Sequence, residues 1–225
     1  MSKPASILSI DVGGSHVKLM DSVKRERRKF PSGPELTAQQ MCARAIAVAA
    51  DWDFAAVSIG IPAPVRNEHP LAEPPNLAPG WVDFDYAAAF GKPLKIINDA
   101  AMQALGSYRG GKTLFLGLGT GMGAAMIADG LILPMELAHL PYIEGGTFED
   151  YVGERGLQRL GESLWREHVL RVVTLLRSAL LPEEVVLGGG NVRLLEQLPA
   201  GCRRGDNDDA LLGGFRLWEN GFSAR

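Results

Sequence analysis

Two glycine-rich turns carry residues suited to chemistry: Ile10-Asp11-Val12-Gly13-Gly14-Ser15-His16-Val17-Lys18 and Leu116-Gly117-Leu118-Gly119-Thr120-Gly121-Met122-Gly123-Ala124. Turns without side chains let backbone N–H groups approach an anion closely. Two of them facing each other would grip a phosphate chain from both sides. Asp11 ends an apolar run just before Gly13-Gly14. A carboxylate there either holds Mg²⁺, usually through water, or caps its own turn. Lys18 lies across the same turn and either meets a phosphate or faces solvent. In the second turn Thr120, Gly121 and Gly123 would offer N–H groups and a hydroxyl, whereas alternate glycines do nothing for strand stability. Neither turn has the spacing of a Walker loop or a dinucleotide fingerprint.

Three further groups stand out. Asn98-Asp99 follows an apolar run and precedes Ala100-Ala101-Met102. Asp99 is placed either to take a proton from an attacking hydroxyl, as a general base must, or to cap a helix with its neighbour. Glu136 and His139 lie between Pro134 and Pro141, and Glu149 follows a Gly-Gly-Thr-Phe stretch. Two carboxylates and an imidazole suit the hydroxyls of a sugar, a metal, or plain solvent. Gly188-Gly189-Gly190 would let a base or ribose lie against bare backbone, or would simply turn a strand into a helix.

These groups need elements to hold them. Apolar runs predict strands over 7–11 and 17–20 around the first turn, with a charged edge strand over 24–30. Helical spacing of Met41, Ala45 and Ile46 predicts a helix over 35–50. A buried strand is expected over 54–59, then a Pro/Gly-rich loop over 60–81. A short helix over 84–90, a strand over 94–97 and a helix over 100–108 follow. The second turn separates strands over 113–118 and 124–128. Beyond it come a loop over 130–146, helices over 146–161 and 164–181, a strand over 184–187, a helix over 191–198 and a last helix over 206–219. The alternation is that of an α/β chain with mixed sheets. One related strand–turn–strand unit in each half suggests two lobes, residues 1–98 and 99–205, with 206–225 returning to the first.

The chain has 225 residues, is 46% hydrophobic and carries a net charge of −3. That fraction builds an ordinary core, and the charge argues against non-specific nucleic-acid binding. The run Lys24-Arg25-Glu26-Arg27-Arg28-Lys29 is a local exception that reads as a solvated face. Two cysteines without CxxC spacing imply neither a disulfide scaffold nor zinc, and a reducing cytoplasm is the expected setting. No apolar stretch reaches the ~18 residues of a membrane span, and the N-terminus has no signal-peptide pattern.

Taken in order, Asp11-Val-Gly-Gly-Ser-x-x-Lys18, Gly60-Ile-Pro-Ala-Pro-Val65, Pro75-Asn76-Leu77 with Gly80-Trp81, Asn98-Asp99-Ala100, Leu118-Gly-Thr-Gly-Met-Gly123, Glu136-Leu-Ala-His139, Gly146-Thr-Phe-Glu149 and Leu187-Gly-Gly-Gly190 resemble the ROK family of sugar kinases. The likeness is nearest to its compact glucokinase and polyphosphate-glucokinase branch. It implies an actin-like (ribonuclease H-like) ATPase fold with two lobes around a central cleft, and phosphoryl transfer to a hexose 6-OH. It implies Asp99 as base, with Asn76, Asn98, Glu136, His139 and Glu149 on the sugar. Asp11, Gly13, Gly14, Ser15, Lys18, Thr120 and Gly121 would hold the phosphates with Mg²⁺ at Asp11, and Gly189 and Gly190 would lie near an adenosine. ATP, polyphosphate or both are the implied donors, and a homodimer the implied assembly. The cysteine-rich zinc motif of many members is absent, so no zinc is expected. Ser15 stands where Thr is usual, Ala138 where Gly is usual, and the stretch from Glu149 to Leu187 is short. A sugar sensor on the same fold, without turnover, is the alternative reading.

Overall fold

In the computed structural model, residues 3–206 and 208–224 are described. The first sheet grows from β1 (Ile7–Val12), every residue of which is buried. It pairs antiparallel with β2 (His16–Asp21), which pairs with β3 (Arg27–Pro31). On the other side β1 runs parallel to β4 (Ala56–Ile61), and β4 to β7 (Leu94–Asn98). Helix α1 (Ala38–Val48) begins at a capping box between Thr37 and Gln40. It packs with Leu8, Ile10, Val12 and Phe30 on one face of the sheet. Between β4 and β7 lie a small hairpin, β5 (Val65–Arg66) and β6 (His69–Pro70), and the short helix α2 (Tyr86–Phe90).

Helix α3 (Asp99–Ser107) leads into the second sheet. Here β8 (Thr113–Leu118) turns into β9 (Met122–Ala128) and then β10 (Leu131–Met135), all antiparallel. Helices α4 (Phe148–Val152) and α5 (Glu154–Leu180) follow. β11 (Glu184–Gly188) lies parallel to β8, and β12 (Cys202–Arg204) parallel to β11. The two sheets thus repeat one topology: an antiparallel meander beyond whose first strand two parallel strands follow in succession. A two-residue strand, β13 (Ser223–Ala224), extends the β10 edge. Helix α5 covers one face of this sheet through Trp165, Val169, Val173 and Leu176. α3 covers the other through Met102 and Leu105.

The last helix, α6 (Asp209–Arg216), returns to the first sheet. Its Phe215 and Leu211 pack on Ile7 and Met20. Ser58 Oγ donates to Gly214 O (2.6 Å) and accepts from Trp218 Nε1 (2.8 Å). α6 also crosses α3 at backbone contact. A Cβ on Gly106 would overlap the Asp209 carbonyl, and one on Gly213 would overlap that of Met102.

Several elements differ from the sequence expectation. Part of the expected loop over 130–146 is β10, because Asp129 and Gly130 both adopt positive φ (51° and 78°) and close a tight hairpin. The expected helix over 191–198 is only a 3₁₀ turn, Gly190–Leu194. The carbonyls of Leu194 and Leu195, which would accept bonds from later turns, accept instead from Arg166 and Arg204. The helices over 146–161 and 164–181 are instead α4 and α5. Gly153 parts them with extended backbone, and Gly161 (φ 75°) breaks the longer one. The edge strand starts only at Arg27, since Asp21 accepts from the N–H groups of Val23 and Lys24 and holds a turn there. The last helix is shorter than expected, and Asn207, inside its expected range, lies outside the described residues.

Gly213→Ala should therefore cost about 3 kcal/mol of stability, the upper range for overpacking. Urea denaturation checks this. Gly161→Ala, in an exposed break with no atoms near the Cβ position but with backbone (φ 75°, ψ 166°) that is essentially glycine's alone, should cost about 2 kcal/mol from backbone strain without any overlap.

Candidate active site

The register of the first sheet sets Gly60, Asp11, Lys18 and Lys29 in one cross-strand row. Lys18 Nζ lies 3.3 Å from Asp11 Oδ2. The Asp11 carboxyl is nearly enclosed; burial pushes its pKa up, and the Lys18 charge works against that. The turn between them closes through Gly13 N–H donating to His16 O (3.0 Å), leaving Gly14 and Ser15 exposed at the tip. Gly14 faces the Asn76 loop: a Cβ there would stand 3.9 Å from the Asn76 Cβ. That loop is not slack. Glu73 accepts from the N–H groups of Gly80 (3.0 Å) and Trp81 (2.9 Å), and the Trp81 ring is fully buried.

The cap of α3 is Asn98. Its Oδ1 accepts from Ala101 N–H (3.0 Å), and its Nδ2 donates to Ala63 O (3.3 Å). Asp99 is thereby the first helical residue, and its Oδ1 accepts from Ala100 N–H (2.8 Å). Its other oxygen has no partner among the described residues. Burial is the main force on this carboxyl, followed by the negative charges of Asp11 and then Glu136. Together, against the Ala100 N–H, they push its pKa up to about 7. Bare backbone surrounds the helix start. A Cβ on Gly60 would sit 2.5 Å from Met102 Cε and 3.3 Å from Asp99 Cα, and one on Gly123 would sit 2.8 Å from Ala100 Cβ.

Thr120 is exposed at the tip of the second turn, and the Glu149 carboxylate folds over Gly121 beside it. Glu149 Oε2 accepts from Met122 N–H (3.1 Å), and a Cβ on Gly121 would overlap it. Glu149 is thus drawn to the second turn. Glu136 and His139 instead pair with each other on the surface at 3.6 Å. The Ala138 methyl between them is buried in the second core. Gly189 (φ 84°) packs so tightly on the end of β8 that a Cβ would overlap Leu118 O, while Gly190 opens to solvent. Sequence reasoning missed two residues here. Glu154 N–H donates to the carbonyls of Gly119 (3.0 Å) and Thr120 (3.2 Å), and Asn191 Nδ2 donates to Glu154 Oε2 (2.8 Å). The polar residues right after Gly153 and Gly190 were the only signal.

The Asp11–Asp99 neighbourhood holds two carboxylates against one ammonium. That donor set fits a Mg²⁺ shared with substrate phosphates, which one or two carboxylates normally secure. Among the described residues no cluster of three metal-ligating side chains forms a cage of its own. No helix among them is long and apolar enough to cross a membrane.

No curated protein matches the sequence. Among solved structures, the inorganic polyphosphate/ATP-glucomannokinase of Arthrobacter sp. strain KM superposes with a TM-score of 0.81 at 23% identity, over 95% of this chain and 98% of that one. A ROK family glucokinase from Streptomyces griseus, with glucose and AMPPNP, superposes with a TM-score of 0.71 at 18% identity, over 95% and 99%. A ROK family transcriptional regulator, a homologue of the E. coli MLC protein, does so at 0.68 and 15%, over 95% of this chain and 77% of that one. These likenesses show the actin-like ATPase fold. The family model for the ROK family matches residues 7–134, more than half of the chain, and the protein belongs to that family.

Proposed function

We propose that the protein is a sugar kinase that transfers a phosphoryl group from ATP or polyphosphate to the 6-OH of a hexose, glucose foremost. The observation that carries this is Asp99. It is a carboxylate at a helix start with one oxygen unpartnered among the described residues, and burial and the neighbouring acids push its pKa up to about 7, as suits a general base. In this reading Asp99 takes the proton of the hexose hydroxyl as that oxygen attacks the terminal phosphorus. Asn76, Glu136, His139 and Glu149 bind the ring hydroxyls, while Asn98 serves the sugar chiefly by fixing the helix start. The backbone of Gly13, Gly14 and Gly121, the hydroxyls of Ser15 and Thr120, and Lys18 receive the phosphates. Mg²⁺ near Asp11, when bound, neutralises phosphate charge. Gly189 and Gly190 line the side taken by an adenosine.

Residues 1–98 and 99–205, with the C-terminal helix on the first lobe, would close on the substrates and exclude water. The setting that goes with this reading is the cytoplasm, since Cys42 and Cys202 are unpaired. The assembly is a homodimer, for which the exposed Leu164 and Leu175 of α5 offer a surface. The regulator among the structural neighbours makes sugar binding without turnover the competing outcome.

Asp99→Asn should lower kcat about a thousand-fold while calorimetry still detects hexose binding. Undiminished turnover in that variant would remove the base assignment. The acid limb of kcat/KM for hexose should break at about pH 7 in the wild type, because the ionised carboxylate is the active form. Stability follows the same group. An Asp whose folded pKa is raised contributes most below its unfolded pKa, near 4, and loses that contribution as pH rises through about 7. The Tm of Asp99→Asn should therefore gain on the wild type between pH 4 and 8. Parallel Tm curves would contradict the shift.

A further inference from the structure

The basic run of β3 and its turn is the motif that the reaction above leaves unused. Most of its cations have structural work. Lys24 Nζ donates to Asp51 O (3.3 Å), and Arg25 stacks on the Phe215 ring at 5.0 Å. Arg27 pairs with Asp208 at 2.8 Å, and Arg28 lies between Glu26 and Asp51 over the Trp52 ring. Among the described residues Lys29 has no ion pair, hydrogen bond or aromatic partner.

Its position makes that informative. Phe30 faces the first core, so strand alternation turns Lys29 and Arg27 to the opposite face, which also bears Asp11 and Lys18. Lys29 is the direct cross-strand partner of Lys18. Like charges so placed destabilise a sheet, and Asp11, the carboxylate paired with Lys18, is one charge against two. Lys29 stands one strand, about 4.8 Å, outward from Lys18, and Arg27 lies about 6.8 Å farther along that strand. All three are solvent-accessible, the Lys18 and Arg27 side chains being 46% and 60% exposed. A row of cations thus starts at the phosphate turn and runs to the open edge of the sheet.

We propose that Lys29 is a subsite for the inner phosphates of a linear polyphosphate whose terminal phosphate lies at the Asp11–Lys18 turn. This rests on the sugar-kinase reading and names the donor class for it. A nucleotide leaving the same turn would run towards Gly189-Gly190 on the second sheet and would not follow β3. In the transfer, the new bond joins the hexose oxygen to the terminal phosphorus, and the P–O–P bridge behind that phosphorus breaks. The hydroxyl proton passes to Asp99. The chain leaves one phosphate shorter, with the bridge electrons on its new terminal oxygen.

The test compares kcat/KM for long-chain polyphosphate with kcat/KM for ATP, at saturating hexose, in the wild type, Lys29→Glu, Lys29→Arg and Lys24→Glu. The polyphosphate-to-ATP ratio should fall about tenfold in Lys29→Glu, the scale of one partly screened charge contact. It should recover in Lys29→Arg and hold in Lys24→Glu, whose charge change lies off the row. An unchanged ratio in Lys29→Glu, or a wild type that uses ATP and not polyphosphate, overturns the proposal. If the wild type turns over neither donor, the sugar-kinase reading fails by itself. Binding of fluorescently labelled polyphosphate to the wild type and Lys29→Glu then decides the subsite, equal affinities counting against it.

Discussion

Everything in this molecule depends on how closely α3 approaches its neighbours. From its middle to its C-terminal end it touches α6 through glycine, Gly213 against the Met102 carbonyl and Gly106 against that of Asp209. At its N-terminus it is seated on Gly60 of β4 and Gly123 of β9. The two helices lie between the sheets, α3 packed mainly on the second and α6 on the first. Close-packed interiors transmit displacement, so the crossing sets where each sheet stands and where Asp99 projects. A methyl group at Gly106, Gly213 or Gly123 would push α3 and with it the carboxylate, whereas one at Gly60 would first meet only the flexible end of Met102.

The electrostatics follow from that seat. Asp99 is half-buried next to an enclosed carboxylate, Asp11, whose only ion-pair partner among the described residues is the Lys18 ammonium. Such an arrangement is costly when both acids are ionised, and the protein tolerates it because the surrounding backbone over-determines the geometry. Asn98 spends its whole side chain on that geometry, one end on the helix and the other on Ala63. The second turn is held in the same manner, by Glu149 from one side and by Glu154 and Asn191 from the other.

Local chemistry was legible in the sequence where its cause is local. The glycine turns, the alternation of strands and helices and the cap at Asn98 or Asp99 all follow from spacing and residue type. The Asp129-Gly130 hairpin was legible too, since Asp-Gly is a strong short-range turn signal, although Pro134 stands inside the strand that follows it. What could not be read is the contact of elements far apart in the chain. Nothing near Gly213 says that the Met102 carbonyl will lie against it. Nothing near Glu149 says that its carboxylate will bond Met122 rather than join Glu136 and His139. The arginines that cut short the expected helix after Gly190 act in the same way, Arg166 arriving from α5 and Arg204 from beyond the turn.

The outer side of β3 has a further consequence. β3 is an edge strand, and its free N–H and C=O groups offer a template on which another chain could add a strand. Unsatisfied edges of this kind are where soluble sheets begin to polymerise. Arg27, Arg28 and Lys29 place three cations on five residues, and a second copy of the strand would bring the same three against them. The cations of this edge, Lys29 foremost, therefore oppose the addition of a second strand along it.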